Sequence, residues 1–500
     1  MNRRQTAIVV LMALAVVFVL GAAMGQAEPA KTRAVVAQGV DTEGIDVTFI
    51  SSTASLNVMH HVLEPLMLRD ENMVLQPVLA TSWGTLDEYT WQFKLRQGVK
   101  FHSGYPFTSE AVKVTFERMF DPEVKTSHRA VRDIPFDRVE IIDDYTVNIV
   151  TKEPTPLMPH FLRTVLIIDP SVYKGQKTAF FDRASGTGPY KFAEWARDDH
   201  LTLTANEDYW NGKPQIDEVV FRPIPEASTR IAELLTGAVD LIVNIPPDQT
   251  KRIETDKTKV AVSKGGRDIF IGLHCDRPPF DDVRVRQAVN YAIDLDTINQ
   301  ALLGGMAEPY GAVAMPPNDH PGLEPYPYDV KKAKALLAEA GYAKGLEITL
   351  QTPNGRYLKD KEASQAIAGY LQAVGIRTKV EALDWSVFTS KWLSGESSEM
   401  FFIGLGGWFD GQGELTWLLP EISVTGWENE EFRQVFNELA KTFDENRRYE
   451  LILEGQEIAY QDAPWVFLWR QPSIYGVSKR LDWTPRRDEY IFLWDASITD

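Results

Sequence analysis

Strict alternation of apolar and polar residues marks a strand at Thr90-Trp91-Gln92-Phe93-Lys94-Leu95. The same period recurs at Val139-Glu140-Ile141-Ile142 and from Tyr145 to Val150. Further strand candidates are Leu201–Ala205, Glu218–Pro223, Ile269–His274 and Leu346–Gln351. Helical spacing separates them. Asp329 is placed to cap a helix that turns Val330, Ala333, Leu337 and Ala340 to one face and stops at Gly341. Lys361 to Val374, closed by Gly375, predicts another, and Glu430 to Ala440 with Arg447 to Tyr460 predict a charged pair. Thr108 is positioned to cap a helix with Ala111, Val112, Thr115 and Phe116 inward; Asp281-Asp282 precedes a helix at Arg284–Ile293, where carboxylates complement the dipole. Strands alternating with helices, without repeats, predict an α/β fold. No Ser/Gly-rich linker appears; the best break is Gly265-Gly266, while Pro278-Pro279 and Pro316-Pro317 read as internal loops.

Length turns this pattern into more than one compact unit: 500 residues suggest two to four. A hydrophobic fraction of 44% and a charged fraction of 24% are those of a soluble globular chain. The formal charge of -18 repels phosphate backbones, so nucleic acid is not an expected partner. One cysteine, Cys275, excludes an internal disulfide and any multi-thiolate metal site. The chain opens Met1-Asn2-Arg3-Arg4, is uncharged from Ala7 to Met24, and continues Gly25-Gln26-Ala27. This predicts a signal peptide over residues 1–27, cleaved near Ala27, and an exported product. The alternative is an uncleaved anchor. With no cysteine at the cut, a lipoprotein is not expected.

The familiar catalytic motifs are missing: the sequence holds no G-x-S-x-G, G-x-x-x-x-G-K-[ST], H-E-x-x-H or C-x-x-C. Gly186-Thr187-Gly188-Pro189 reads as a turn before a strand. His60-His61 lacks a third ligand at metal-binding spacing, so neither a metal nor a cofactor is expected. Acid pairs such as Asp281-Asp282 and Glu430-Glu431 read as solvated surface. Aromatics are the richer signal. Trp408, Trp417 and Trp427 sit in or near the glycine-rich run Gly404–Glu414, where they either line a cleft or pack a core between domains.

Word-level resemblance then becomes strong. Glu64-Pro65-Leu66, Pro77–Trp83, Trp91–His102 and Phe107–Val112 are similar to the signature region of the peptide/nickel family of bacterial ABC-transporter solute-binding proteins, family 5. Gly186–Tyr190, Asn206–Trp210, Pro278–Ala288, Tyr370–Ile376 and Ala463-Pro464-Trp465 extend the resemblance from about residue 35 to 495.

The resemblance implies a two-lobed periplasmic-binding-protein fold with an extra subdomain in the first lobe. Lobe I would hold residues 31–75, 186–268 and 478–500, the subdomain 76–185, and lobe II 269–477. The chain would cross between lobes at Ile269–His274 and Ser473–Ser478. The implied role is non-catalytic: a monomer captures a short or modified peptide by lobe closure and delivers it to an inner-membrane ABC permease with its ATPase. Opine-like or oligosaccharide solutes are the alternative ligands. A secreted glycoside hydrolase, or a chaperone-like peptide binder, is the alternative class. In peptide-binding members a carboxylate three residues after the loop Trp meets the ligand amine. Here Gly411 holds that position and Asp410 stands one residue early. The resulting candidates are Trp408, Phe409, Asp410, Glu414 and Trp417 from the loop. Arg356 is a carboxylate fork, with a surface arginine as the alternative, and Ser51, Ser52, Thr53 and Asn57 are first-lobe donors.

Overall fold

The computed structural model describes residues 31–499 apart from 51, 127, 129, 176, 178–183 and 423. The expected signal peptide lies outside the described residues.

Three sheets carry the molecule. A seven-stranded mixed sheet runs Thr258–Ser263, Ser473–Ser478, Leu241–Ile242, Arg33–Gln38, Glu218–Pro223, His200–Ala205, Tyr190–Ala196 in spatial order. A six-stranded mixed sheet runs Glu308–Pro309, Trp465–Arg470, Arg267–Leu273, Met400–Gly406, Leu346–Pro353, Ile376–Leu383. A four-stranded antiparallel sheet joins Ala80–Thr85, Thr90–Leu95, Thr146–Thr151 and Phe136–Asp143. Each has its own apolar core: around Val36, Leu203 and Tyr475 in the first, Ile271, Phe402 and Trp469 in the second, and Phe93, Phe116 and Ile149 in the third.

Alternation identifies the strands with one face toward solvent, such as Thr90–Leu95 with every second residue buried. It misses Arg33–Gln38, Met400–Gly406 and Trp465–Arg470. These are buried on both faces and present unbroken apolar runs, which periodicity cannot assign to strand or helix. Helix caps follow chemistry more closely. Asp329 accepts the Lys332 N–H, and Asp282 accepts that of Arg284. The helix Ser109–Met119 departs from expectation, since the Thr108 side chain makes no capping bond. Ser109 instead ties the helix start to the next strand, its hydroxyl donating to the Asp143 carbonyl at 2.7 Å.

The chain passes from the first sheet to the second between Ser263 and Arg267, and returns between Arg470 and Ser473. Both passages touch. Gln471 N donates to the Arg267 carbonyl at 2.8 Å, and a Cβ on Gly265 would overlap the Gln471 carbonyl oxygen. A Cβ on Gly266 would overlap the carbonyl of Arg487, so the C-terminal segment runs beside the same crossing.

Candidate functional site

Two cavities open where the six-stranded sheet faces the other two cores. The first, 190 Å³, is walled by Thr53 and Leu56 from the helix Thr53–Met59, and by Arg69 and Arg163 from the third-core side. Arg267, Gly407 and Phe409 close it from the six-stranded side, and Asp488 and Glu489 from the C-terminal segment. The second, 430 Å³, has Trp83, Trp91 and Leu157 on one side and Phe409, Asp410, Phe443 and Arg448 on the other. Phe409 is a wall of both.

That placement is built by the loop 407–414. Phe409 (φ 56°) and Gly411 (φ 75°) take left-handed backbone, which folds the loop back on itself. Glu414 holds it there: Oε1 accepts the N–H groups of Trp408 (2.8 Å) and Phe409 (2.6 Å), and Oε2 that of Gly411 (3.0 Å). Burial, with Asp410 nearby, raises the Glu414 carboxyl to about 7. Its oxygens are committed to the backbone of this loop, so Glu414 fixes the loop's conformation. Asp410 accepts the Gly413 N–H at 2.6 Å and borders the larger cavity.

The tryptophans stand elsewhere. Trp408 packs its ring over Gly413, where any Cβ would strike it, and Trp417 stacks on Trp392 with centroids 6.3 Å apart. Both border a void of 10 Å³ inside the six-stranded half and neither lines the two larger cavities. Trp427 is a core residue, its indole N–H donating to Asp462 at 2.6 Å. Of the aromatics in and near this loop, Phe409 is the one that borders both cavities, and Trp83, Trp91 and Phe443 line the larger one beside it.

On the first-core side, Ser52 caps the helix Thr53–Met59 by accepting the Ser55 N–H. Asn57 is spent on structure: Nδ2 donates to Gln38 at 2.9 Å and Oδ1 accepts from Ile491 N at 3.0 Å. Ser52, Thr53 and Asn57 border a third cavity, of 260 Å³, next to Ser473 and Glu489. Ser51 lies outside the described residues. Arg356 is exposed, lies 5.1 Å from the ring centroids of both Tyr357 and Trp385, and lines neither inter-lobe cavity. His60 and His61 are buried; His61 Nδ1 pairs with the Asn57 carbonyl and Nε2 accepts from Leu493 N. Among the described residues no group of three His, Cys, Asp or Glu is arranged to hold a metal ion.

Sequence reasoning passed over the charged groups of the smaller cavity. Asp488 takes two bonds from Arg486 (3.0 and 2.6 Å), and Glu489 pairs with Arg267 at 3.4 Å. Arg69, 3% exposed, donates through Nη2 to His160 Nδ1 at 3.2 Å, while its Nε has no partner. Burial lowers the Arg69 guanidinium to about 9 and His160 to about 3, so the histidine accepts as a neutral ring. The one available signal was an arginine ending the apolar run Leu66-Met67-Leu68.

Comparison with known proteins gives this arrangement a lineage. The profile of "Bacterial extracellular solute-binding proteins, family 5 Middle" matches residues 74–423. The glutathione-binding protein GsiB of Pectobacterium atrosepticum is 30% identical over 491 residues, covering 93% of this chain and 94% of that protein. GsiB of Escherichia coli is 29% identical over 472 residues, covering 89% and 90%. In structure, the ABC-transporter substrate-binding protein CtaP of Listeria monocytogenes superposes with a TM-score of 0.85 at 21% identity, covering 94% of this chain and 100% of that one. DppA of Helicobacter pylori, in complex with peptide STSA, gives 0.75 at 24% identity, covering 93% and 98%. These matches and the two-lobed architecture agree, and the chain belongs to family 5 of the bacterial extracellular solute-binding proteins.

Proposed function

We propose that this chain is the exported binding component of an ABC importer and that it captures a short or modified peptide, glutathione being the first to test, by closing two lobes over it. The observation that carries the reading is the pair of cavities sharing Phe409, walled from both sides of a two-stranded crossing. Relatives named for glutathione binding support the ligand class. Lobe I comprises 31–75, 186–263 and 473–500, its subdomain 76–185, and lobe II 267–470, because the expected lobe II segment up to 477 runs into the strand Ser473–Ser478 of the first sheet. Segment 1–27 directs export to the periplasm and is removed, and the mature protein is a monomer. No helix among the described residues is long and apolar enough to cross a membrane. Thr53, Phe409 and Asp410 meet the ligand, and Arg356 stands outside the contact. No catalysis is assigned: a glycosidase needs two carboxyls opposed across a cleft at about 5–10 Å. The acids of the smaller cavity, Asp488 and Glu489, are instead neighbours on one segment, each held by an arginine.

A ligand drives closure only by binding the closed form better than the open one. Small-angle scattering and titration calorimetry with glutathione and a panel of di- and tripeptides test this. Saturable heat with a fall in radius of gyration is expected; heat without compaction overturns the closure mechanism, and silence across the panel overturns the ligand class.

A further inference from the structure

The smaller cavity holds more positive charge than its own carboxylates neutralise. Asp488 is held by Arg486 and Glu489 by Arg267. Arg69 and Arg163 face the same space, and among the described residues no ion pair reaches either. Arg163 spends one N–H on the His160 carbonyl at 3.2 Å. Arg69 is nearly wholly buried with Nε unpartnered, and the residue it does touch, His160, is an uncharged acceptor.

A guanidinium withdrawn from water without a counter-ion is costly, and the cost falls when an anion supplies the missing hydrogen bonds. The two arginines also oppose each other, Arg163 being among the charges that weaken proton binding at Arg69. Asp410, Glu414 and Asp488 act on Arg69 only from beyond ion-pair distance. Backbone contacts fix the geometry. Arg69 ends the strand Met67–Arg69, its carbonyl accepting from Arg486 Nη2 at 2.8 Å, and Arg163 closes the helix Met158–Leu162. The ring of Phe409 lies 5.5 Å from the Arg69 guanidinium, so the loop that walls the cleft also covers this charge.

We propose that Arg69 and Arg163 form a seat for a carboxylate of the ligand, which selects anionic peptides. This rests on the binding-protein reading above and narrows its substrate class. In a chain of formal charge -18, such a seat supplies the local attraction that the protein as a whole denies to an anion. A planar guanidinium matches a carboxylate with two parallel bonds, so selection extends to geometry as well as charge.

Two arms keep this proposal separable from the reading it rests on. In the first, thermal unfolding is followed with glutarate against chloride at equal ionic strength. The wild type is expected to gain several degrees with glutarate, and Arg69→Gln and Arg163→Gln to lose the gain. In the second, calorimetry compares glutathione with its two mono-amides and its diamide. One mono-amide and the diamide should bind at least tenfold more weakly than glutathione, and Arg163→Gln should weaken glutathione but not that mono-amide. Arg163, half-buried with a single backbone bond, serves if the Arg69 variant does not fold. No glutarate effect, or equal binding of acid and amides, overturns the seat and leaves peptide capture standing. A glutarate effect abolished by both variants, with no peptide bound at all, keeps the seat and overturns peptide capture.

Discussion

Glu414 shows how a residue expected at the ligand can act one step behind it. Its carboxylate gathers three N–H groups of a loop that would otherwise present unpaired donors, and the conformation it enforces puts Phe409 between two cavities. Glu414→Gln replaces one acceptor oxygen by a donor facing at least one of those N–H groups. The expected cost is about 2 kcal/mol of folding stability, the penalty for a buried donor left unmade. Urea unfolding measures it, and an unchanged midpoint would show that the loop holds without this carboxylate. Phe409→Ala removes a ring that is 2% exposed and packed on Met73 and Met315, and should cost about 3–5 kcal/mol of stability. It should weaken ligand binding at least tenfold by calorimetry, whereas Trp417→Phe should leave affinity within twofold. The residue types near the glycine-rich run were legible in the sequence. Which aromatic faced the cleft was not, because the left-handed backbone at 409 and 411 decides it and no periodicity reports φ. Arg69 was hidden for another reason: its partner His160 lies 91 residues away in sequence.

Among elements, capped helices and strands with a wet face were readable, and so were the buried strands Thr146–Thr151 and Arg267–Leu273, whereas other strands buried all round were not. The strand Glu218–Pro223 is found at its expected bounds, and the helix Asp360–Ala373 starts one residue before expectation, where Asp360 gathers the N–H groups of Gly355, Arg356 and Tyr357. Trp465–Arg470, entirely buried, carried no such signal. The crossing was legible as a pair of glycines, and the structure supplies the reason: at 265 and 266 there is no room for a Cβ beside the returning chain and the C-terminal segment. Gly265→Ala must push the two crossing passages apart. The expected result is a loss of about 1–3 kcal/mol, in the range of overpacking, and a larger radius of gyration with ligand than the wild type shows. If scattering curves of the variant and wild type coincide in both states, the close approach does not govern closure.

For the whole molecule, burial of titratable groups sets an optimum of stability with pH. Five histidines are depressed from 6.5 chiefly by burial: His60 and His160 to about 3, and His61, His102 and His274 to about 4. As pH falls below 6.5 the unfolded chain takes up protons at these sites that the folded chain refuses, so stability declines. Four carboxyls work in the opposite sense, Asp495 among them, and three of these are raised far. Burial raises Glu64 and Glu414 to about 7 and Asp268 to about 8, so the folded chain keeps protons that the unfolded chain has already lost. Their contribution favours the fold at low pH and is lost as pH rises through 7 and 8. Between pH 6.5 and 8 the carboxyls dominate and stability falls with rising pH. Between 6.5 and 5 the more numerous histidines prevail and it falls with decreasing pH. At about 1.4 kcal/mol per net proton per pH unit, the loss from pH 6.5 to 5 is about 2 kcal/mol. Urea unfolding at pH 5, 6.5 and 8 should therefore give the highest midpoint at 6.5. A midpoint still rising at pH 8 would mean that Glu64, with its bonds from Thr187, Tyr209 and Trp210, and Asp268, beside Arg470, are ionised in the fold. The donors around them would then outweigh the burial that sets them apart.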